Sequence, residues 1–173
     1  MRVVKPLDMR ILAADPFANT LELSYLGAER VDLPMLLGES DFVVVACLLN
    51  ERTRHLISAA QFALMKPSAY FINVARGPIV DEPALIDALR QGRIAGAALD
   101  VFEQEPVDSA NPLLAMDNVI VTPHSLCWTD ECFHNMASTG LASIVDALAR
   151  RRPEFIVNRD VLEHPRVRAW FDR

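Results

Sequence analysis

Six short strand-like runs punctuate the chain, at residues 10–14, 29–31, 41–46, 69–74, 94–99 and 118–122, and helix-type patterns separate them. The longer runs, such as "FVVVA" and "YFINV", are continuously apolar rather than alternating, a pattern that belongs to parallel strands covered by helices on both faces. Helical patterns fall at 33–37, 58–65, 81–91 and 129–151. The third is marked by Asp81 as N-cap, Pro83 in its first turn and Gly92 just past its end, and Pro153 ends the fourth. Strands alternating with helices specify a doubly wound parallel α/β sheet. Ligands of such sheets bind beyond the carboxyl ends of the strands. The polar or reactive residues expected there are Asp15, the segment from Cys47 to Asn50, Arg76, Asp100 and His124.

Composition narrows the partners. At 173 residues the chain supports one domain with a real core. Its longest apolar run, "FVVVACLL", is far shorter than the roughly 18 residues of a membrane span. Asp8 and Asp15 interrupt any apolar signal-peptide core, and three cysteines without a C-x-x-C pair suit a reducing compartment, so a cytoplasmic location is expected. A formal charge of −6 argues against nucleic acid as a partner. The one basic run, 150–152, ends a helical pattern, where cations complement the helix dipole. His124, Cys127, Cys132 and His134 are suitable zinc ligands by type but lack the paired close spacings of structural sites, so no metal is expected.

Asp15 raises a question. In dinucleotide-binding sheets an acid at the end of the second strand grips the ribose, and a glycine-rich phosphate loop lies about 20 residues before it. No glycine precedes Asp15 here.

The run "FINVARGPIVDEPALIDALRQGRIAGAALDVFEQEP", followed by "NPLLAMDNVIVTPH", closely resembles the NAD-dependent D-2-hydroxyacid dehydrogenases, which include D-3-phosphoglycerate dehydrogenase, D-lactate dehydrogenase and the glyoxylate or hydroxypyruvate reductases. The similarity extends from about residue 9 to 158. It implies a Rossmann-like fold, NAD as cofactor, a small 2-hydroxy or 2-keto acid as substrate and a homo-oligomer, dimeric in the complete form. Residue by residue, Arg76 of "NVARG" is similar to the family's substrate-carboxylate arginine, Glu105 of "FEQEP" to the acid that partners the histidine, and His124 of "TPH" to the catalytic acid/base. Asp100 resembles the residue near the nicotinamide carboxamide and Asp15 the one on the adenosine ribose. Pro16, Cys47, Asn50, Val74, Ala75 and His124 complete the implied cofactor contacts.

Each residue type suits its implied task. Reducing a keto acid leaves the carbonyl oxygen needing a proton, which a histidine supplies near neutral pH. A neighbouring carboxylate favours the charged imidazole that burial opposes. An arginine fork fixes a carboxylate in two places. An acid on the ribose repels a 2′-phosphate, and "PFANT", which follows Asp15, offers no arginine to receive one, so NAD is expected over NADP.

The resemblance also bears on the missing glycine loop. Residues 1–7 look like the last turn of the helix that follows that loop, so the chain reads as the carboxyl-terminal portion of a dehydrogenase whose first strand and loop are absent. In the order 3-2-1-4-5-6 the first strand lies between the second and fourth, so a two-strand piece and a larger piece with no ladder between them are expected. Residues 1–153 then form a truncated NAD-binding domain, and 154–173 a tail returning to a substrate domain. Trp128 either projects toward the substrate side or anchors the long helix in the core, the second being favoured. Two other readings remain open on the sequence: a non-catalytic dinucleotide-sensing module, as in the C-terminal binding protein corepressors, and a non-functional fragment.

Overall fold

The computed structural model describes residues 5–172. Of the segment read as a helix end, residues 1–4 lie outside the described residues and Lys5–Leu7 is one 3-10 turn. The six strands form close to their expected limits: β1 (Ile11–Ala13), β2 (Ala28–Arg30), β3 (Phe42–Val45), β4 (Tyr70–Asn73), β5 (Gly96–Leu99) and β6 (Val119–Val121). Every pairing is parallel. The strands make two sheets, β1-β2 and β3-β4-β5-β6, and among the described residues no ladder joins β1 to β3.

Helix starts follow local chemistry. Asp32 accepts from Met35 N at 2.8 Å to open α2 (Leu33–Glu39), and Asp81 accepts from Ala84 N at 3.2 Å to open α4 (Glu82–Arg90). A capping box between Ser58 and Gln61 opens the short α3 (Ala59–Phe62). Two helices escaped the sequence reading. One is the seven-residue helix at 165–171, within the segment read as a tail, and the other is α1 (Thr20–Tyr25), a six-residue helix that buries only Leu23 and so shows too little periodicity to detect.

The core is one cluster that includes Leu37, Val43, Val45, Phe62, Phe71, Ile79, Leu85, Leu89, Ala97, Leu99 and Leu113. Phe62 meets Phe71 edge to face, with ring centroids 5.3 Å apart. Full burial of such side chains stabilises by about 1.5–3 kcal/mol each. All its members lie between positions 37 and 113, so β1 and β2 contribute nothing to it.

Only β5, with Gly96, Ala97 and Leu99 buried, is covered on both faces; the other strands are not, although their continuous apolarity led us to expect it. β3 and β4 alternate, with Val43, Val45, Phe71 and Asn73 inward and Phe42, Val44 and Tyr70 exposed, and Ile120 of β6 is exposed as well. The buried apolar positions belong to the cluster that α3 and α4 join, whereas Phe42 stacks on Tyr70, at 5.8 Å. Continuous apolarity records what a strand can bury, and here one face is left open.

The chain divides into two compact units, Met1–Ser125 and Leu126–Arg173. The second contains α5 (Asp130–Leu148), opened by Thr129 accepting from Cys132 N, and α6 (Pro165–Phe171). Trp170 donates to Ala147 O at 2.8 Å, and the Arg150 guanidinium lies 5.2 Å from the Trp170 ring centre. No residue of α5 is buried. Trp128 accordingly does not serve as a core anchor: it is 65% exposed and rests against Phe133. Among the described residues no helix is long and apolar enough to cross a membrane.

Candidate active site

The carboxyl ends of β4, β5 and β6 bring three of the expected residues together. Glu105 lies at their centre. Its Oε1 accepts from Phe102 N at 2.9 Å, which folds the turn after β5 back on itself, and its Oε2 meets His124 Nδ1 at 2.8 Å. Desolvation is the largest influence on the Glu105 carboxyl and pushes it up, but the Phe102 N–H, His124 and the Arg76 charge outweigh it and hold the group below the usual carboxylate range. Arg76 is thus close enough to act on Glu105 electrostatically.

His124 takes a left-handed backbone, φ +53°. Histidine is among the non-glycine residues more often found there, although the conformation still costs about 1–2 kcal/mol. Asp100 holds it. The buried Asp100 carboxylate accepts from Thr122 Oγ1 at 2.6 Å and from Ser125 N at 2.9 Å, gripping the chain on both sides of His124. With Nδ1 turned to Glu105, the ring keeps Nε2 as its second proton-exchanging nitrogen.

Arg76 is exposed and stands on a loop built by Asn73, which is 1% exposed. Asn73 Oδ1 accepts from Ala75 N at 3.0 Å and its Nδ2 donates to Arg76 O at 3.0 Å. Gly77 then lets this loop press on the next strand's turn, because a Cβ there would stand 1.7 Å from Phe102 O. Asn73 and Gly77 were not singled out from the sequence. The N-x-x-R-G spacing was the available signal.

The remaining expected contacts are more dispersed. Asp15 is exposed beyond β1, and its Oδ1 accepts from Phe17 N at 2.8 Å. Cys47, beyond β3, is open at the surface. Packing around its sulfur, more than its own backbone contact offsets, pushes its thiol up, and the nearby Asp15 charge adds to the rise. That places the ends of β1 and β3 near each other although no ladder joins them. Asn50 Oδ1 is engaged by Arg52 N at 2.9 Å, so this side chain shapes its own loop, and Thr53 fastens the loop by donating to Leu48 O at 2.6 Å. Val74 is exposed and Ala75 half-buried directly after β4. Beside Pro16 the structure brings an arginine that the local sequence did not show: Arg30, at the end of β2, donates to Pro16 O at 3.0 Å.

Comparison with known proteins decides the family. The description "D-isomer specific 2-hydroxyacid dehydrogenase, NAD binding domain" matches residues 1–125. The chain belongs to this family. It is 48% identical over 136 residues to glyoxylate/hydroxypyruvate reductase B of Shigella boydii, an alignment covering 79% of this chain and 42% of that protein. Among solved structures, the D-lactate dehydrogenase of Lactobacillus jensenii with NAD+ superposes with a TM-score of 0.83 at 34% identity, over 91% of this chain and 51% of that one. The holo D-mandelate dehydrogenase of Rhodotorula graminis gives a TM-score of 0.78 at 38% identity, over 84% and 42%. The chain therefore spans less than half the length of the curated relatives it matches.

The residues present suit part of a dinucleotide. An exposed carboxylate beyond β1 offers acceptors to ribose hydroxyls, and small or apolar positions at Cys47, Val74 and Ala75 border the neighbouring strand ends.

Proposed function

We propose that this chain carries the acid/base pair and the substrate-binding arginine of an NAD-dependent oxidoreductase that interconverts small 2-hydroxy and 2-keto acids. The observation behind this reading is Glu105 held between the Phe102 amide and His124 Nδ1, with the Arg76 charge beside it. Asp15 and the strand-end residues Pro16, Cys47, Asn50, Val74, Ala75 and Asp100 would hold NAD, which would supply or accept the hydride. The chain's own groups do the rest. Arg76 draws the substrate carboxylate into its fork and so fixes the carbon to be reduced. His124 gives its Nε2 proton to the oxygen that becomes the hydroxyl, or takes it back in the oxidative direction. Glu105 keeps the imidazole oriented and stabilises its charged form. Asp100 acts on the same centre from behind, by holding the backbone on both sides of His124.

On this reading residues 1–153 are part of the nucleotide domain and 154–173 lead back to a substrate domain. The working protein is read as a homo-oligomer, as the family resemblance implies, and as cytoplasmic, which the three free cysteines suit. A chimera in which this chain replaces the matching portion of the Shigella boydii reductase tests the assignment. His124→Asn should lower kcat about 10²-fold or more, whereas Arg76→Ala should chiefly raise KM for the keto acid. Near-native kinetics in both variants would refute the assignment.

A further inference from the structure

A second histidine and carboxylate pair stands beside the first. His55 Nε2 meets Glu103 Oε1 at 2.6 Å, two residues from Glu105. Like His124, His55 has a left-handed backbone, φ +50°. Its main chain is engaged as well, because His55 N donates to Pro78 O at 2.9 Å, two residues from Arg76. Glu103 is in turn clamped to α4: its Oε2 accepts from Glu82 N at 3.2 Å, and its own N–H donates to Glu82 Oε2 at 2.9 Å. Glu82 Oε1 then accepts from Asn111 Nδ2 at 2.7 Å. One residue therefore grips both the arginine loop and the glutamate turn.

From this geometry we infer that His55 is a positioning residue, which locks the Arg76 loop and the 102–105 turn into one frame so that Glu105 meets His124 Nδ1. Stability is a poor explanation for the pair. The side chains are 43% and 30% exposed, a setting in which ion pairs add little. The left-handed site would also accept asparagine more easily than histidine. What only a longer side chain provides is the reach to Glu103.

The inference rests on the reading of Glu105 and His124 given above, and its test uses tautomers rather than turnover. In the neutral ring, the nitrogen that bonds a carboxylate keeps the proton. Long-range proton–nitrogen spectra of the ¹⁵N-histidine-labelled chain, above the histidine titration range and assigned with His124→Asn, report which nitrogen that is. The wild type should carry the His124 proton on Nδ1. His55→Asn, which suits the backbone but cannot reach Glu103, should lose that preference and return His124 to the tautomer mixture of a free imidazole. Glu103→Ala should do the same, and His55→Gln, which restores a donor of similar reach, should recover Nδ1. Retention of the Nδ1 proton in either His55→Asn or Glu103→Ala would overturn the role of His55 alone. Its absence from the wild type would overturn the His124–Glu105 reading and this inference with it.

Discussion

The two sheets of the first unit differ in how they hold their chemistry. The four-stranded sheet is backed by a continuous core, and Arg76, Glu105 and His124 stand on turns cross-braced by Asn73, Gly77, Asp100 and Phe102. The two-stranded sheet has three-residue strands, only Leu23 and Ala28 buried near it among the described residues, and Asp15 capping its own turn. Groups proposed to move a proton need fixed geometry, and here they stand on the better packed layer. The acid proposed to meet the ribose stands on the thinner layer.

The largest expected effect is on stability. Phe71→Ala removes a fully buried ring in contact with Phe62 and should cost about 4 kcal/mol in urea unfolding. Leu23→Ala, in the thin layer, should cost less than about 1 kcal/mol of global stability, because a layer that contributes nothing to the core cluster is expected to open without the rest. Equal costs would erase the distinction between the sheets.

A smaller effect concerns the cofactor. Asp15→Ala in the chimera should narrow the NAD over NADP ratio of kcat/KM by about tenfold, since it removes the charge opposing a 2′-phosphate. In that variant the Arg30 charge, beside Pro16, should attract the phosphate. A further Arg30→Ala change should return part of the lost discrimination. An unchanged ratio in Asp15→Ala would detach Asp15 from the ribose.

The smallest effect is a pH dependence. Glu105 is held below the ordinary carboxylate range in the folded chain, so its contribution is complete above the unfolded-state value and disappears as pH falls through the lower folded-state value. Glu105→Gln should therefore be less stable than wild type near neutral pH, and the gap should close in acid. With its side chain 37% exposed, solvent screening keeps the gap small. A gap that is constant with pH would show that the carboxylate is not held this way.

The strands were legible because apolar runs bounded by turn residues leave few alternatives, and the strand order implied by the family resemblance foretold the break between β1 and β3. The Arg76, Glu105 and His124 set was legible through long local motifs. What escaped was contact between distant segments. His55 and Glu103 lie 48 positions apart, and a histidine in "NERTRH" reads as a loop residue. Arg30 lies 14 positions from Pro16 and reads as the solvated end of a strand. Gly77 shows its purpose only once Phe102 lies against it.

Native-state hydrogen exchange tests most directly whether the four-stranded layer alone builds the acid/base site. The Phe102 amide, bonded to Glu105, and the Ser125 amide, bonded to Asp100, should exchange through the same opening as the β4 and β5 amides, near the global unfolding free energy. The Val31 amide, bonded to Ala13 O between β1 and β2, should exchange through a smaller and separate opening. If the Phe102 and Ser125 amides instead open with Val31, or if all three share one opening energy, the site does not belong to the packed layer and the account fails.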